Sequence, residues 1–292
     1  MSVMIEEKPQ ILSKRRAVGL VCRAGRAEAD QLGQDIVDFL LDRNIEVQIC
    51  PGSCNVDDSR ASPTPVDKMD VDFMTLIGGD GTILDTLSKL RDKETPLFCI
   101  NMGTVGFMTE SDVASALSAL EKVLSRDCII ERCTNLSSGI GDRIFRDALN
   151  EVYVASSIHG RLLTFDIYLD GTNISFGRAD GVMVATPSGS TAYALSAGGS
   201  ILSPSLGAFI VVPVCPPRSE LRPLVVPDYC HVEIELVKPE ALGTVVIDGQ
   251  AQWDVQPLER VWVKKSEGVT RFIRLYDNYY DRLRTRLVPS SV

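Results

Sequence analysis

The stretch Val71–Asp92, "VDFMTLIGGDGTILDTLSKLRD", decides how the first half of this chain folds. The apolar run "VDFMTLI" reads as a buried strand, and "ILDTLSKLRD" carries its apolar residues at helical spacing. Between them, "GGDGT" sets three glycines around one carboxylate, Asp80. The stretch is therefore a turn at the end of a strand, opening onto a helix N-terminus. Bare backbone in such a turn lets phosphate oxygens approach N–H groups, and the helix dipole favours their charge. A carboxylate beside phosphates is repelled unless it binds a metal or takes a proton from a nucleophile. In phosphoryl transfer an acid accepts the proton of the attacking hydroxyl. The alternative is that Asp80 N-caps a helix beginning near Thr82.

Working outward, the same alternation recurs. "RAVGLVC" reads as a buried strand, Leu32, Ile36, Phe39 and Leu40 follow at helical spacing, and "IEVQIC" is a second strand. The polar stretch 51–70, rich in Pro, Ser and Asp, reads as a surface loop. Beyond the glycine turn come "PLFCI", a second glycine turn "NMGTVGF", and a helix near Ser111–Leu124. Strand–helix–strand alternation implies a parallel sheet with helices on both faces. Two glycine turns in successive units can line one crevice at the carboxyl ends of such strands. Neither turn is a Walker loop or a GxGxxG fingerprint.

After about residue 128 the texture changes. Short strand-like runs such as "NEVYVASS", "RLLTFDIYL", "GVMVAT", "FIVVPV", "CHVEIELV" and "RVWVKK" are separated by turn signals. The expectation is an antiparallel, all-β second domain. "YLDGTNI" reads as a hairpin turn, one helix is expected after "TPSGSTAY", and a short amphipathic helix closes the chain. The expected division is residues 1–128 as the α/β domain, 129–272 as the all-β substrate-binding domain, and 273–292 as a C-terminal segment.

Composition narrows the function classes. The chain has 292 residues, 45% of them apolar, and a formal net charge of −9. It carries no basic run longer than "KRR", which argues against nucleic acid as partner. No apolar window is long enough to span a membrane, and the first residues lack a secretory h-region. The eight cysteines lack CxxC spacing and only two histidines accompany them, so they read as reduced, buried thiols of a cytoplasmic protein rather than disulfides or metal ligands. His159 and His231 show no triad or metal partner and read as structural or solvated.

Five segments in order, "GGDGT", "NMGTVGF", "NEVYV", "DGVMVATPSGSTAYALSAGGSIL" and "RPLVVP", resemble the NAD kinase family. "GGDGT" by itself is shared with lipid kinases and phosphofructokinase-like proteins; "TPSGSTAYALSAGG" is much narrower. The resemblance implies an α/β domain followed by an all-β domain, with the C-terminal segment packing back on the first. It implies a phosphoryl transfer from ATP or polyphosphate to the adenosine-ribose 2′-hydroxyl of NAD, giving NADP. Asp80 matches the family's proton acceptor and Gly81, followed by Thr82, the adjoining substrate contact. Phe107 packs on the adenine or belongs to the core. Asn150 and Glu151 match the pair that holds the adenosine portion, and Asp180 an acid contacting the nicotinamide half. Arg161 and Arg178 fall where the family often places basic contacts. Thr191, Ala192, Tyr193, Ala194, Leu195 and Ser196 match the loop and helix start around the substrate, and Gln250 a polar contact from the second domain. Family members are homo-oligomers, dimers or tetramers. No metal cage is evident; a divalent ion, Mg²⁺, would ride on the donor phosphates.

One departure stands out: Pro217 occupies a position where the family usually has histidine. Two rival readings share part of the pattern. A lipid kinase would share "GGDGT" but would call for a membrane-seeking basic amphipathic helix. A non-catalytic NAD(P) sensor would bind the same ligand, yet has no use for a base at the 2′-oxygen.

Overall fold

In the computed structural model the described residues are 5–7, 9–13, 16–56, 58–91, 94–103, 106–158, 160–217, 221–238, 242–277 and 279–287. His159 lies outside them, as do two residues within "NMGTVGF". The chain forms two compact units, one of Met4–Arg132 with Thr270–Val292 and one containing Cys133–Val269.

The first unit is built on the strands that the glycine turns terminate. Phe73–Ile77 lies between Ala17–Cys22 and Leu97–Asn101, and Glu46–Ile49 and then Ser62–Pro63 extend the sheet, every pair parallel. On the other side Phe272 of the strand Arg260–Arg274 pairs in parallel with Leu97. Ala17–Cys22, Phe73–Ile77 and Leu97–Asn101 are buried at every residue. Such strands are uniformly apolar because both faces of a parallel sheet are covered. Helix Ala27–Leu41 contributes Leu32, Ile36 and Leu40 to the main cluster, and helix Ala116–Leu124 contributes Ala119, Leu120 and Val123. Helix Asp80–Lys89 buries Ile83 and Leu87.

The second unit is antiparallel throughout its two sheets. One runs Leu224–Pro227, Ala208–Val214, Gly181–Ala185, Glu151–Ser156, Gly243–Ile247, Ala251–Val255. The other pairs Thr172–Ala179, Leu163–Leu169, Val232–Leu236 and the first half of Arg260–Arg274. Alternate residues of both sheets, Val152, Val184 and Val245 from one and Phe165, Ile234 and Val261 from the other, share one core cluster. This is the sandwich expected of half-buried alternating strands. The "YLDGTNI" turn is a hairpin, with Asp170 at φ 48° and Gly171 at φ 79° between the paired strands. Two positive φ values match the type I′ geometry that suits strand twist.

Several local expectations needed adjustment. The stretch 51–70 is not all loop: Ser62–Pro63 joins the sheet and Val66–Lys68 is a short 3₁₀ turn that buries Val66. The helix expected near Ser111–Leu124 starts only at Ala116, because Ser111–Asp112 pairs with Leu97–Asn101. After "TPSGSTAY" there are two short pieces, a 3₁₀ turn Gly189–Thr191 and the helix Tyr193–Ser196. All eight cysteines are free, but Cys215 is exposed and Cys50 and Cys54 are half-buried, so burial holds for five of them.

The tail is fixed to the first unit by charge. Arg274, 4% exposed, donates from Nε to Glu131 (2.6 Å) and from Nη1 to the Met108 carbonyl (2.9 Å). Arg282 of the amphipathic helix Tyr279–Leu287 reaches Glu131 (3.3 Å) and Glu110 (3.5 Å). Burial works to raise the Glu131 carboxyl, but the two guanidinium charges outweigh it and hold that group below its ordinary value. Burial dominates at Glu110 and pushes it up.

Candidate functional site

Asp80 is the first residue of its helix, not the cap. Gly79 occupies the cap position in extended geometry, no side chain caps the helix, and the first amide bonds close on the Gly79 carbonyl from Thr82 (2.9 Å) and Ile83 (3.2 Å). The N-cap reading of Asp80 is thereby corrected: Gly79, not Asp80, holds the extended cap position and its carbonyl takes the first helical bonds. The half-buried side chain is turned toward the "NMGTVGF" loop, where the Met108 N–H donates to Oδ1 over 3.4 Å. A Cβ on Gly106 would run into Oδ1, so any side chain there would have to displace the Asp80 carboxylate. Arg274 braces this loop from beneath through the Met108 carbonyl. The structure thus brings Asp80, Gly81, Thr82 and the Phe107–Met108 step together within the first unit.

Beside this turn lies a cavity of about 630 Å³ at the carboxyl ends of Ala17–Cys22, Glu46–Ile49 and Phe73–Ile77. Its wall includes the backbone of Gly79 and Gly81, Thr82 and two cations, Arg23 and Lys89. Lys89 is paired with Asp85 of the same helix at 2.7 Å. Neither cation was singled out from the sequence. Arg23 directly follows the strand "AVGLVC", a signal that becomes readable only once the strand order is known.

In the second unit, three stretches remote in sequence meet around Asn150 and Glu151. Asp248, 8% exposed and at φ 50°, accepts from the N–H groups of Leu149 (2.8 Å), Asn150 (2.8 Å) and Glu151 (3.0 Å). Its carboxylate spends its acceptor capacity on backbone, which shapes the turn that presents the two side chains. Thr186 closes from the other side, its N–H on the Asn150 carbonyl (2.9 Å) and its Oγ1 on the Leu149 carbonyl (2.6 Å). Gly189 then packs on Asn150 so closely that a Cβ would run into the Asn150 carbonyl oxygen. Within this braced turn, Asn150 Oδ1 and Glu151 Oε2 are buried and without a hydrogen-bond partner among the described residues. Buried polar atoms are nearly always satisfied, so these two neighbouring side chains keep hydrogen-bonding capacity in reserve. In the sequence Asp248–Gly249 reads as no more than a turn before Gln250, and nothing local signals this role.

Burial, with the Asp248 charge adding to it, pushes the Glu151 carboxyl up to about 8. At neutral pH it is therefore protonated in the ligand-free chain and can donate. A carboxyl raised on folding binds its proton more tightly in the native state, so its contribution to stability is complete below its ordinary value near 4.5 and is lost as pH rises through about 8. Glu151→Gln is expected to match the parent chain near about pH 5 and to melt at least about 3 °C higher above about pH 8, a shift of about 1 kcal/mol for a chain of this size. Thermal melts of both chains across that range check it; parallel curves would refute the buried neutral carboxyl.

The other expected residues fall into two groups. Thr191 is buried, Ala192 half-buried and Tyr193 45% exposed, with its ring edge-on to Tyr153 at 5.6 Å. Asp180 is exposed and, with Tyr193, lies close enough to Tyr153 to act on its phenol, which burial already pushes up. Ala194 lies in a core cluster with Met183 and Ile210, whereas Leu195 is half-buried and Ser196 exposed. Gln250 is exposed in the turn after Asp248. Arg161 and Arg178 line a separate cavity of about 410 Å³, where Lys238 adds a third cation. Among the described residues, no group of three or more His, Cys, Asp or Glu side chains is arranged to hold a metal ion. His231 is held by its own N–H on Asp170 (2.9 Å) and faces Trp262.

The family model for the ATP-NAD kinase N-terminal domain matches residues 18–128, and that for the ATP-NAD kinase C-terminal domain matches residues 149–275. The NAD kinase of Methanothermobacter thermautotrophicus is 38% identical over 276 residues, covering 94% of this chain and 97% of the relative. The chain belongs to the NAD kinase family. It is by that membership a phosphotransferase. The NAD kinase of Thermococcus sibiricus is 36% identical, with 90% of this chain and 96% of the relative covered. An NAD kinase from Archaeoglobus fulgidus, solved in complex with ATP, aligns at a TM-score of 0.75 and 29% identity over 92% of this chain and 99% of that one. Yeast NADH kinase, solved with NADH, aligns at 0.82 over 95% and 89% of the two chains and, at 24% identity, shares the fold of the NAD kinase family.

Proposed function

We propose that the chain transfers the terminal phosphoryl of ATP, or of polyphosphate, to the adenosine-ribose 2′-hydroxyl of NAD. The observation that carries this reading is Asp80, a half-buried carboxylate in the first turn of a helix on bare glycine backbone, turned toward the Met108 N–H, in a chain of the NAD kinase family. The bond from O2′ to phosphorus forms as the bond to the leaving diphosphate breaks, and Asp80 takes the hydroxyl proton. Gly81 and Thr82 adjoin the sugar and Phe107 packs on the adenine. Asn150 Oδ1 accepts from the adenosine portion, and the neutral Glu151 donates to it. Asp180 contacts the nicotinamide half, the run Thr191–Ser196 surrounds the substrate, and Gln250, Arg161 and Arg178 add polar and basic contacts.

The donor phosphates enter the cavity beside the glycine turn, facing Arg23 and Lys89. The carboxylate set there, Asp85 paired with Lys89, is no metal cage. A divalent ion, Mg²⁺, therefore comes in on the donor phosphates and supplies charge neutralisation. A homo-oligomer is part of the same proposal, supported by the exposed Leu224 and Val225 on the edge strand Leu224–Pro227; sedimentation of the purified chain tests it. A cytoplasmic location is supported by the free thiols. No helix among the described residues is long and apolar enough to cross a membrane.

The test is incubation of purified chain with NAD, Mg²⁺ and either donor, with NADP followed by a coupled dehydrogenase. No product with either donor would leave a binding module as the reading. Arg23→Ala and Lys89→Ala are each expected to raise the KM for ATP by about tenfold or more with the KM for NAD unchanged, since a charge-assisted bond is worth about 1.5–3 kcal/mol. Unaltered donor kinetics in both would remove the cavity from the mechanism.

A further inference from the structure

Thr186 stands where two segments of the second unit meet. The strand Gly181–Ala185 pairs with Glu151–Ser156 in a register that sets Ala185 opposite Glu151, so Thr186, one residue beyond, falls beside Asn150. Its N–H donates to the Asn150 carbonyl (2.9 Å), and the residue is fully buried. Its hydroxyl is used in both directions. The proton goes to the Leu149 carbonyl (2.6 Å), and the oxygen accepts from the Gly189 N–H (3.0 Å). Leu149 leads into the Asn150–Glu151 turn, which Asp248 grips from its other side. Gly189 opens the 3₁₀ turn Gly189–Thr191, and the Ala192 N–H closes on its carbonyl (2.9 Å) ahead of the helix Tyr193–Ser196. That turn is held in shape by its own hydroxyls. Ser190 Oγ donates to the Pro187 carbonyl (2.6 Å) and accepts from the Leu202 N–H (2.9 Å), and Thr191 Oγ1 donates to the Ser188 carbonyl (2.9 Å). One oxygen therefore ties two preformed pieces of chain together.

We infer that Thr186 is a positioning residue for the nucleotide, its hydroxyl fixing the Asn150–Glu151 turn against the Gly189–Ser196 segment at one separation. A threonine hydroxyl has a single proton to give, and here it goes to the turn while the lone pair serves the segment. Asn150 Oδ1 and Glu151 Oε2 are buried and without a partner among the described residues, so the backbone beneath them decides where that capacity points. A ligand held by both pieces at once binds more tightly when their spacing is set beforehand, because no ordering is left to be done on binding. Removing the hydroxyl strips a partner from the Leu149 carbonyl and the Gly189 N–H, both on buried residues, and backbone groups in that state shift to recover one. The loss weakens ground state and transition state alike, so it shows in the KM for NAD and not in kcat. The consequence for binding rests on the reading of Asn150, Glu151 and Thr191–Ser196 given above; the tie itself does not.

Two variants of the full chain separate hydroxyl from packing. Thr186→Val keeps the shape and removes the hydroxyl; Thr186→Ser keeps the hydroxyl and removes the methyl. Expected for the valine variant is a KM for NAD raised by about tenfold, the upper worth of one net hydrogen bond, with kcat and the KM for ATP within about twofold of the parent. The serine variant should return the parent KM for NAD. A role in packing alone reverses that order, with serine impaired and valine spared. Amide hydrogen exchange gives a readout free of catalysis: segments 149–151 and 189–191 should both exchange faster in the valine variant than in the parent or the serine variant. Should the valine variant not fold, Thr186→Ala against Thr186→Ser isolates the same hydroxyl. The inference is overturned if valine keeps the parent KM for NAD while Asn150→Ala raises it, if serine is impaired as much as valine, or if exchange in the two segments is unchanged. If Asn150→Ala leaves the KM for NAD unaltered, the adenosine reading alone fails, and exchange in the two segments still decides whether the hydroxyl is the tie.

Discussion

Asp80→Asn should fold and bind NAD as the parent chain does, yet lose at least about a hundredfold in kcat, the low end for a general acid–base group. The two magnitudes involved differ enough to separate the roles. A charge at a helix N-terminus contributes about 0.3–1 kcal/mol to stability, whereas a hundredfold in rate is about 2.7 kcal/mol of barrier. Asparagine keeps the shape and an oxygen for the Met108 N–H, now at 3.4 Å from Oδ1. What asparagine lacks is the basic lone pair that takes the 2′-hydroxyl proton. Steady-state kinetics with NAD and ATP varied, together with a thermal melt, decide the matter. Turnover at the parent rate would remove Asp80 from the chemistry and return it to local structure.

Arg274→Ala should cost about 3–5 kcal/mol of stability, because it strands buried carboxylates. Glu110 and Glu131 are 2% and 12% exposed at their side chains, and among the described residues Arg282 would be left to face both. The Met108 carbonyl would lose its 2.9 Å donor at the same time, loosening the loop that closes on Asp80. A drop of about 10 °C in Tm is the corresponding size, and the lost activity should exceed the fraction unfolded. Acidification adds a sign test. In the parent chain Glu131 is held below its ordinary value, so its contribution is present above that value and fades as pH falls through the lower, folded one. Without Arg274 the stranded carboxyls prefer the proton, and the deficit of the variant should shrink toward acid pH. A deficit that stays constant with pH would mean lost packing, not unpaired charge. Arg274→Lys should rescue little, since one ammonium cannot reproduce a guanidinium that serves a carboxylate and a backbone carbonyl together.

Legibility in the sequence tracked the range of the forces involved. Strands buried on both faces, such as "AVGLVC" and "FMTLI", announce themselves as continuous apolar runs, and the glycine turn after the latter is a local conformational demand. The sandwich strands show their alternation, and "LDGT" its hairpin. The strand Ile129–Ile140, by contrast, was not recognised from its sequence. Its second half, "TNLSSGI", has poor strand propensity, and Asn135 and Ser138 are buried only because neighbouring segments cover them. The strand Ile5–Glu7, antiparallel to Ile129–Glu131, depends on a partner more than a hundred positions away. At the site, the sequence left Asp80 divided between cap and base, since aspartate suits both positions. The backbone angles at Gly79 give the cap position to Gly79, and the base role of Asp80 stays with the kinetic test above.

The residues alone determined the two-part α/β and all-β character, the bare turn around Asp80, and through resemblance the family. These follow from hydrophobic period and glycine placement, which act within about fifteen residues. Tertiary structure alone decided that Asp248 shapes the turn at Asn150, that Arg274 underpins the loop facing Asp80, and that Arg23 and Lys89 share a cavity. Each of these joins groups from separate segments, and burial gives such pairings their strength. Burial is a property of the packed chain and is written in no single stretch of it.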